Sequence, residues 1–428
     1  MKQIHSSPSQ VARLGVLLLA LLTAFVLDSY AAGNENEFDA HATAFRYYFE
    51  DRDMDFHFGN LVLGATVHGG AAVGEAFYAA SHIEDGDSAS WQKEWSELAR
   101  RVEARGEHAM EAGHRVSARD HLFRAAYYYR SSLVSMLPDD PALARNGRKA
   151  RALFRQAGAL LDPPLEYLEI PFEDTSLPGY FWPAPDKGSR KTLLMIGGGE
   201  TFAEDLFFYI APQAHARGYN FATVDLPGQG LTPFQELFFR TDTYIYMRAV
   251  VDALLGRPDV APKGLAAYGI SGGGLFVPQA AMYDPRIRAV VMNSAVTDAH
   301  ALFATMPAAL AMPEDKAGWT SFHRDVVTSI CWRYGVPLDE PDKLIGANAG
   351  NTFDPAKVAV PALILVGEGE YASEEVQRQQ QYAMENFPNP GKRLIVTPTD
   401  EGAANHCIME NRSLMGALVF DWLDEVLP

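Results

Sequence analysis

Residues 264–291 read GLAAYGISGGGLFVPQAAMYDPRIRAVV. An apolar strand-like run enters Gly269-Ile270-Ser271-Gly272-Gly273 and leaves into a helical pattern, so the serine falls on a sharp strand-to-helix turn. Such a turn holds its central residue in a strained backbone conformation. Side chains two residues before and after it would collide with the neighbouring strand and helix, which explains the flanking glycines. The bare G-x-S-x-G spacing is common by chance; its strand-turn-helix setting makes Ser271 a candidate nucleophile.

Working outward, the runs TLLMIG, NFATVD, GLAAYG, AVVMNS, ALILVG and RLIVTP alternate with helix-length segments from Lys191 onward. That alternation predicts an α/β fold with a doubly wound, mostly parallel sheet, whose chemistry sits at the carboxyl ends of the strands. LEYLEIPFE and PGYFWPAP, just before it, read as a strand and a following edge strand. Some 65 residues separate AVVMNS from ALILVG. Within that interval, residues 297–355 read as a cap inserted over the active-site end.

A serine hydroxyl needs a base, and in this strand order the acid follows a later strand and the histidine comes last. His406, in Asn405-His406-Cys407 beyond RLIVTP, occupies the histidine position, whereas His300 and His323 fall in the cap. For the acid the loop after ALILVG offers Glu370 and Glu368. Glu370 is preferred because Glu368, so close to the strand end, would turn back towards the sheet; Asp298 after AVVMNS is the third candidate. The oxyanion donors are the N–H of Gly272 and one from Gly197-Gly198-Gly199-Glu200-Thr201, namely Gly199 or Glu200. That loop lacks the Lys-Ser/Thr of a phosphate cradle and the glycine spacing of a dinucleotide site. Glu200 reads either as a helix-start acid, with Glu204 and Asp205 following, or as a second proton-handling group. Asp225, in the tight turn DLPGQG, reads as structural.

Residues 38–160 show helical periodicity. VSARDHLFRAAYYYRSSLVSM, with Ser117 as its cap, and ARNGRKARALFRQAGALL form an antiparallel hairpin bounded by Pro138 and Pro163. The YYY cluster is either core packing or a ligand-facing stripe. The expected organisation is an N-terminal helical module over 32–163, then a core over 164–428. At the N-terminus Lys2 and Arg13 precede the apolar run Leu14 to Leu27 and the small residues near Ala31. Residues 1–31 therefore read as an export signal, the alternative being an uncleaved membrane anchor.

With 428 residues the chain has room for a main domain plus a module. Its 48% apolar and 21% charged residues exclude disorder and a many-span membrane protein. A formal charge of −18 without clustered Lys and Arg excludes a nucleic-acid partner. Cys331 and Cys407 allow one optional bridge and no metal spacing. The expectation is a cofactor-independent, metal-free enzyme acting on a hydrophobic small molecule, with no stable membrane association if the signal is removed. Oligomeric state is left open.

The elbow GISGGG, the turn DLPGQG, the loop GGGETFAED, the terminal NHC and the helical VSARDHLFRAAYYYRSS together resemble the α/β-hydrolase superfamily. More narrowly they are similar to the group of fermentation-respiration switch-like proteins, 2,6-dihydropseudooxynicotine hydrolase and fungal pigment hydrolases that shorten polyketides. The resemblance covers most of the chain after about residue 110. It implies Ser271, Glu370 and His406 in the triad places, Glu200 at an acidic position after the first core strand, and cleavage of an ester or of a carbon-carbon bond beside a ketone. This chain departs from the group in offering Glu where Asp is usual, and in its export signal. A prolyl-oligopeptidase-like peptidase is the runner-up, disfavoured by a helical module where a propeller would show short strands. A catalytically silent exported binding protein is the other reading.

Overall fold

The computed structural model describes residues 38–306, 310 and 319–427. The proposed export segment 1–31 and part of the Met- and Ala-rich stretch of the cap lie outside the described residues. Eight strands form one sheet: β1 Glu166–Phe172, β2 Thr175–Trp182, β3 Arg190–Ile196, β4 Asn220–Val224, β5 Val260–Ile270, β6 Ala289–Asn293, β7 Ala362–Gly367 and β8 Arg393–Thr397. Their spatial order is β1-β2-β4-β3-β5-β6-β7-β8. The six apolar runs of the sequence are β3 to β8, and every pairing among them is parallel.

The continuous hydrophobic runs have a simple cause: both faces of the sheet are covered. Leu193 and Met195 of β3 pack on one side with the helices Ala203–Ala216 and Arg412–Val426. Leu194 and Ile196, one residue out of phase, pack on the other with Thr243–Leu255, Gly273–Ala281 and Glu374–Asn386. The chain runs from β3 to β4 on one side and returns to β5 on the other, with Ile196 in register with Gly269. The carboxyl ends of β3 and β5 therefore lie side by side where the winding reverses, the place where open α/β sheets form a crevice.

Two local expectations are corrected. PGYFWPAP is not an edge strand: β2 pairs antiparallel with both β1 and β4, and β1 is the edge. Pro178 sits at the end of the ladder with β4, where its carbonyl still accepts from Asp225 N at 2.9 Å, so the missing amide interrupts no run of ladder bonds on that side. Nor is Ser117 a cap. Its helix begins at Arg115 behind His114, which makes no side-chain capping bond.

Among the described residues no strand precedes β1. Helices Ser88–Glu111, Arg115–Ser131 and Pro141–Gly158 make up most of the N-terminal module, and they pack against the helix Ala203–Ala216 through Phe123, Phe207 and Phe208. In the aromatic triplet, Tyr128 is core and stacks on Trp95 at 5.8 Å. Tyr127 is buried against Phe208 and also faces the central cavity. Between β6 and β7 the cap contributes Ala299–Ala304, Ser321–Tyr334 and Lys343–Ala347. It is tied to the N-terminal module by Thr320 Oγ1 donating to Asp51, Ser321 Oγ donating to Gly86 O, and Phe322 against Trp91 at 5.0 Å. Arg412 is buried and donates to the carbonyls of Asn60, Phe208 and Met409, stitching module, core and C-terminal helix together. Both cysteines are free and buried, so the optional bridge is absent. No helix among the described residues is long and apolar enough to cross a membrane.

Candidate active site

Strand β5 delivers Ser271 at φ 52°, in the left-handed region that a non-glycine residue enters at a cost of about 1–3 kcal/mol. The turn is held by the Ser271 N–H donating to Asn293 O at 2.8 Å. Sterics account for its glycines. A Cβ on Gly269 would sit 1.9 Å from Gly273 O, and one on Gly273 would sit 2.5 Å from Ile196 O. With Ser271 so placed, the loop after β3 passes directly over it.

Gly198, which sequence reasoning passed over, is the residue that makes this approach. A Cβ there would lie 2.4 Å from Ser271 Cβ and 2.7 Å from its Oγ. The Gly198 N–H is committed to Thr201 Oγ1 at 3.0 Å, and the next residue, Gly199, lines the cavity with Gly272. The loop is braced from two sides. Gln229 Nε2, from the DLPGQG turn, donates to Gly197 O at 2.6 Å and to Gly198 O at 3.2 Å. Arg130, from the N-terminal module, donates to Glu200 O at 2.8 Å and to the Asp205 carboxylate at 3.0 Å. Asp225 is buried, accepts from Ala203 N at 2.7 Å and pairs with Arg151, a structural duty as expected. Gly198→Ala is expected to fold and to lose about 100-fold or more in kcat/KM on an ester, because the methyl displaces the serine from its donors. The check is a comparison of kinetics and melting for the two proteins.

His406 stands in a short turn after β8, His406–Ile408. Its Nδ1 is 3.1 Å from Glu370 Oε1, the same oxygen that accepts from Ser294 Oγ at 2.7 Å. Neither ring nitrogen has a hydrogen bond of good geometry among the described residues. Catalytic contacts are often loose until substrate arrives. The turn is anchored at a distance: Asn405 Oδ1 accepts from Ala44 N at 2.9 Å, and Asn293 Nδ2 donates to Cys407 O at 2.8 Å. The other two acid candidates lie elsewhere. Glu368 is bonded to Thr399 N and Oγ1, and Asp298 caps a helix by accepting from Ala301 N.

Burial alone would depress the His406 imidazole, but the Cys407 sulfur and the Glu370 carboxylate beside it hold it well above its ordinary value. Burial works the other way on Glu370, and His406 with Ser294 overcomes it, keeping that carboxyl below the usual range. The pair is thus an imidazole made more basic by a buried carboxylate.

Glu200 does not start a helix. The helix opens at Ala203, with Glu204 and Asp205 in its first turn. Instead Glu200 Oε2 faces two imidazoles that carry no motif in the sequence, His57 Nε2 at 3.5 Å and His41 Nε2 at 3.7 Å. His41 Nδ1 is 2.5 Å from Asp53 Oδ1, and the other oxygen of Asp53 engages His323. Burial opposes protonation of His41, yet Asp53 and Glu200 push it up to about 10. No local periodicity marks these residues as a group, since they come from four segments spread between His41 and His323.

Ser271, His406, Glu370, Glu200 and both histidines line one cavity of about 860 Å³. Its apolar wall comes from the N-terminal module, with Phe56, Tyr127 and Val134, and from the cap, with Phe303, Val326 and Ile330.

Comparison with known proteins agrees with this architecture. Residues 85–318 match the family model described as FrsA-like, esterase FrsA-like. The chain is 36% identical over 253 residues to the 20-hydroxy-prefusarin hydrolase FUS2 of Gibberella moniliformis, covering 56% of this chain and 59% of that protein. It is 34% identical over 262 residues to the hydrolase ORFZ of Pyricularia oryzae, covering 57% and 61%. The matched region thus spans about three fifths of the length of these curated relatives. A solved 2,6-dihydroxy-pseudo-oxynicotine hydrolase superposes with a TM-score of 0.67 at 23% identity, over 85% of this chain and 95% of that one, a likeness of fold.

Proposed function

Since the chain belongs to the FrsA-like esterase family and is a hydrolase of the α/β type, we propose that it cleaves an ester, or a carbon-carbon bond beside a ketone, in a hydrophobic small molecule through Ser271, His406 and Glu370. One observation carries this reading. A serine held at positive φ on the tip of β5 shares a cavity with an imidazole whose Nδ1 side faces a buried carboxylate.

In this reading Ser271 Oγ attacks the carbonyl carbon while His406 takes its proton. Glu370, itself held by Ser294, keeps the ring oriented and favours the imidazolium that forms. The N–H groups of Gly272 and Gly199 receive the developing oxyanion. The imidazolium then protonates the leaving group, and water completes the cycle with His406 as general base. Glu200, with His41 and His57, forms a polar end of the cavity opposite its apolar wall residues and faces the leaving group. That wall supports a hydrophobic substrate. The exported location is a proposal on the sequence of residues 1–31 alone.

A panel of ester, amide and β-diketone substrates, run with wild type beside Glu200→Gln, tests the bond type. We expect turnover of esters or diketones, with Glu200→Gln losing at least tenfold more on the ketone than on the ester if carbon-carbon cleavage is the reaction. A folded preparation that turns over none of the three classes contradicts the proposal.

A further inference from the structure

We propose that His41, His57 and Glu200 form a binding site for one divalent first-row transition-metal ion, with zinc the ion this donor set suits best. The inference does not rest on the role given to Ser271 and concerns a separate group of atoms in the same cavity.

Spacing is the first argument. Glu200 Oε2 lies 3.5 Å from His57 Nε2 and 3.7 Å from His41 Nε2, and the three atoms all lie within 4.8 Å of one another. A direct ion-pair hydrogen bond would draw such atoms to about 2.7–2.9 Å. Ligands at ~2.0–2.1 Å from one tetrahedral centre stand roughly 3.3 Å apart, much nearer to the two separations from Glu200. Both imidazole nitrogens face the same carboxylate oxygen while each stays short of it.

The second argument is independent of spacing. A histidine that ligates a metal through Nε2 nearly always donates its Nδ1–H to a carboxylate or a backbone carbonyl, which fixes the tautomer and aims the ring. Both imidazoles have that support here, and one residue supplies it. His41 Nδ1 is 2.5 Å from Asp53 Oδ1, and His57 Nδ1 is 2.7 Å from Asp53 O, one helical turn back. Asp53 is buried, in the helix Arg52–Phe56 that Asp51 caps through Met54 N. Both Nε2 atoms are thereby left as the free ends.

The donor set points to the ion. Two neutral imidazoles and one carboxylate suit zinc and its first-row neighbours, whereas calcium and magnesium prefer all-oxygen cages. Three protein ligands leave a position open, as in sites that take a water or a substrate oxygen. Here the open side is the cavity itself, into which all three residues face. An ion there would offer a docking point for a carbonyl or hydroxyl oxygen of the substrate.

The competing occupant is a proton, with His41 as an imidazolium between two carboxylates. Titration calorimetry with Zn²⁺ on the tag-free full chain, after dialysis against a chelator, separates the two. So does the visible spectrum on adding Co²⁺. We expect one ion per chain, with no binding in the His41→Ala/His57→Ala double variant. Asp53→Asn, which keeps the shape and spoils the tautomer control, should weaken affinity 10- to 100-fold. Circular dichroism of the metal-free proteins shows whether each variant is folded, and Asp53→Asn serves should the double variant not be. Wild type binding no more ion than a folded variant overturns the site and leaves the proton reading. That result would not touch labelling of Ser271, so the two proposals fail separately.

Discussion

Ser271→Ala is expected to abolish labelling by a fluorophosphonate probe and to lower kcat by about 10⁴- to 10⁶-fold, the loss that follows when a triad nucleophile is removed. Ser271 is the only atom source for the proposed covalent step, so no neighbour replaces it. The fold should survive, because the residue contributes no core packing and its turn is set by Gly269, Gly273 and the bond to Asn293 O. The positive φ adds a second readout. Ser271→Gly relieves the strain of a left-handed serine and should raise stability by about 1 kcal/mol while remaining inactive. Persistent labelling in Ser271→Ala would remove the nucleophile from this account.

Glu370→Gln is the second large effect. Loss of the orienting carboxylate costs about 10⁴-fold in kcat in a comparable triad, and a similar drop is expected here. The pH profile carries more information than the size. A general base must be unprotonated, and His406 is held above its ordinary value by its surroundings, of which Glu370 is the charged part. The acidic limb of kcat/KM in wild type should therefore lie above about pH 6.5, the value for a free imidazole. In Glu370→Gln the imidazolium loses its carboxylate, so the limb should move to lower pH even as the maximum falls. The stability linkage has the same sign. The raised imidazole contributes stability that is full below the unfolded imidazole value and is lost as pH climbs through the folded one. An unmoved limb in a folded Glu370→Gln protein would mean that another group orients His406, and Ser294 would then need testing.

Much of this was legible because the signals are local. A strand-turn-helix segment with glycines at fixed offsets places a serine on a bend whatever surrounds it, and six apolar runs at crossover spacing leave little choice but a parallel sheet. His406 was readable from its order after the last strand. Reach alone separates Glu370 from Glu368 in the sequence; in the fold Glu368 bonds Thr399 and Glu370 lies beside His406. The misjudged edge strand has a non-local origin: nothing within PGYFWPAP records that β4, about 40 residues on, pairs along its other side.

Sequence by itself determined the sheet, the bend that carries Ser271 and the order of the candidate triad, since each depends on residues close along the chain or on strand sequence. Only the tertiary structure decided what surrounds them. Gln229 and Arg130 brace the loop over the serine, Ala44 anchors the histidine turn, and Asp53 aims two imidazoles at Glu200. Apart from the bonds of Asp53 to His41 and His57, which are close in sequence, these contacts join segments 32 or more positions apart, and no periodicity encodes them, because they exist only in the packed fold.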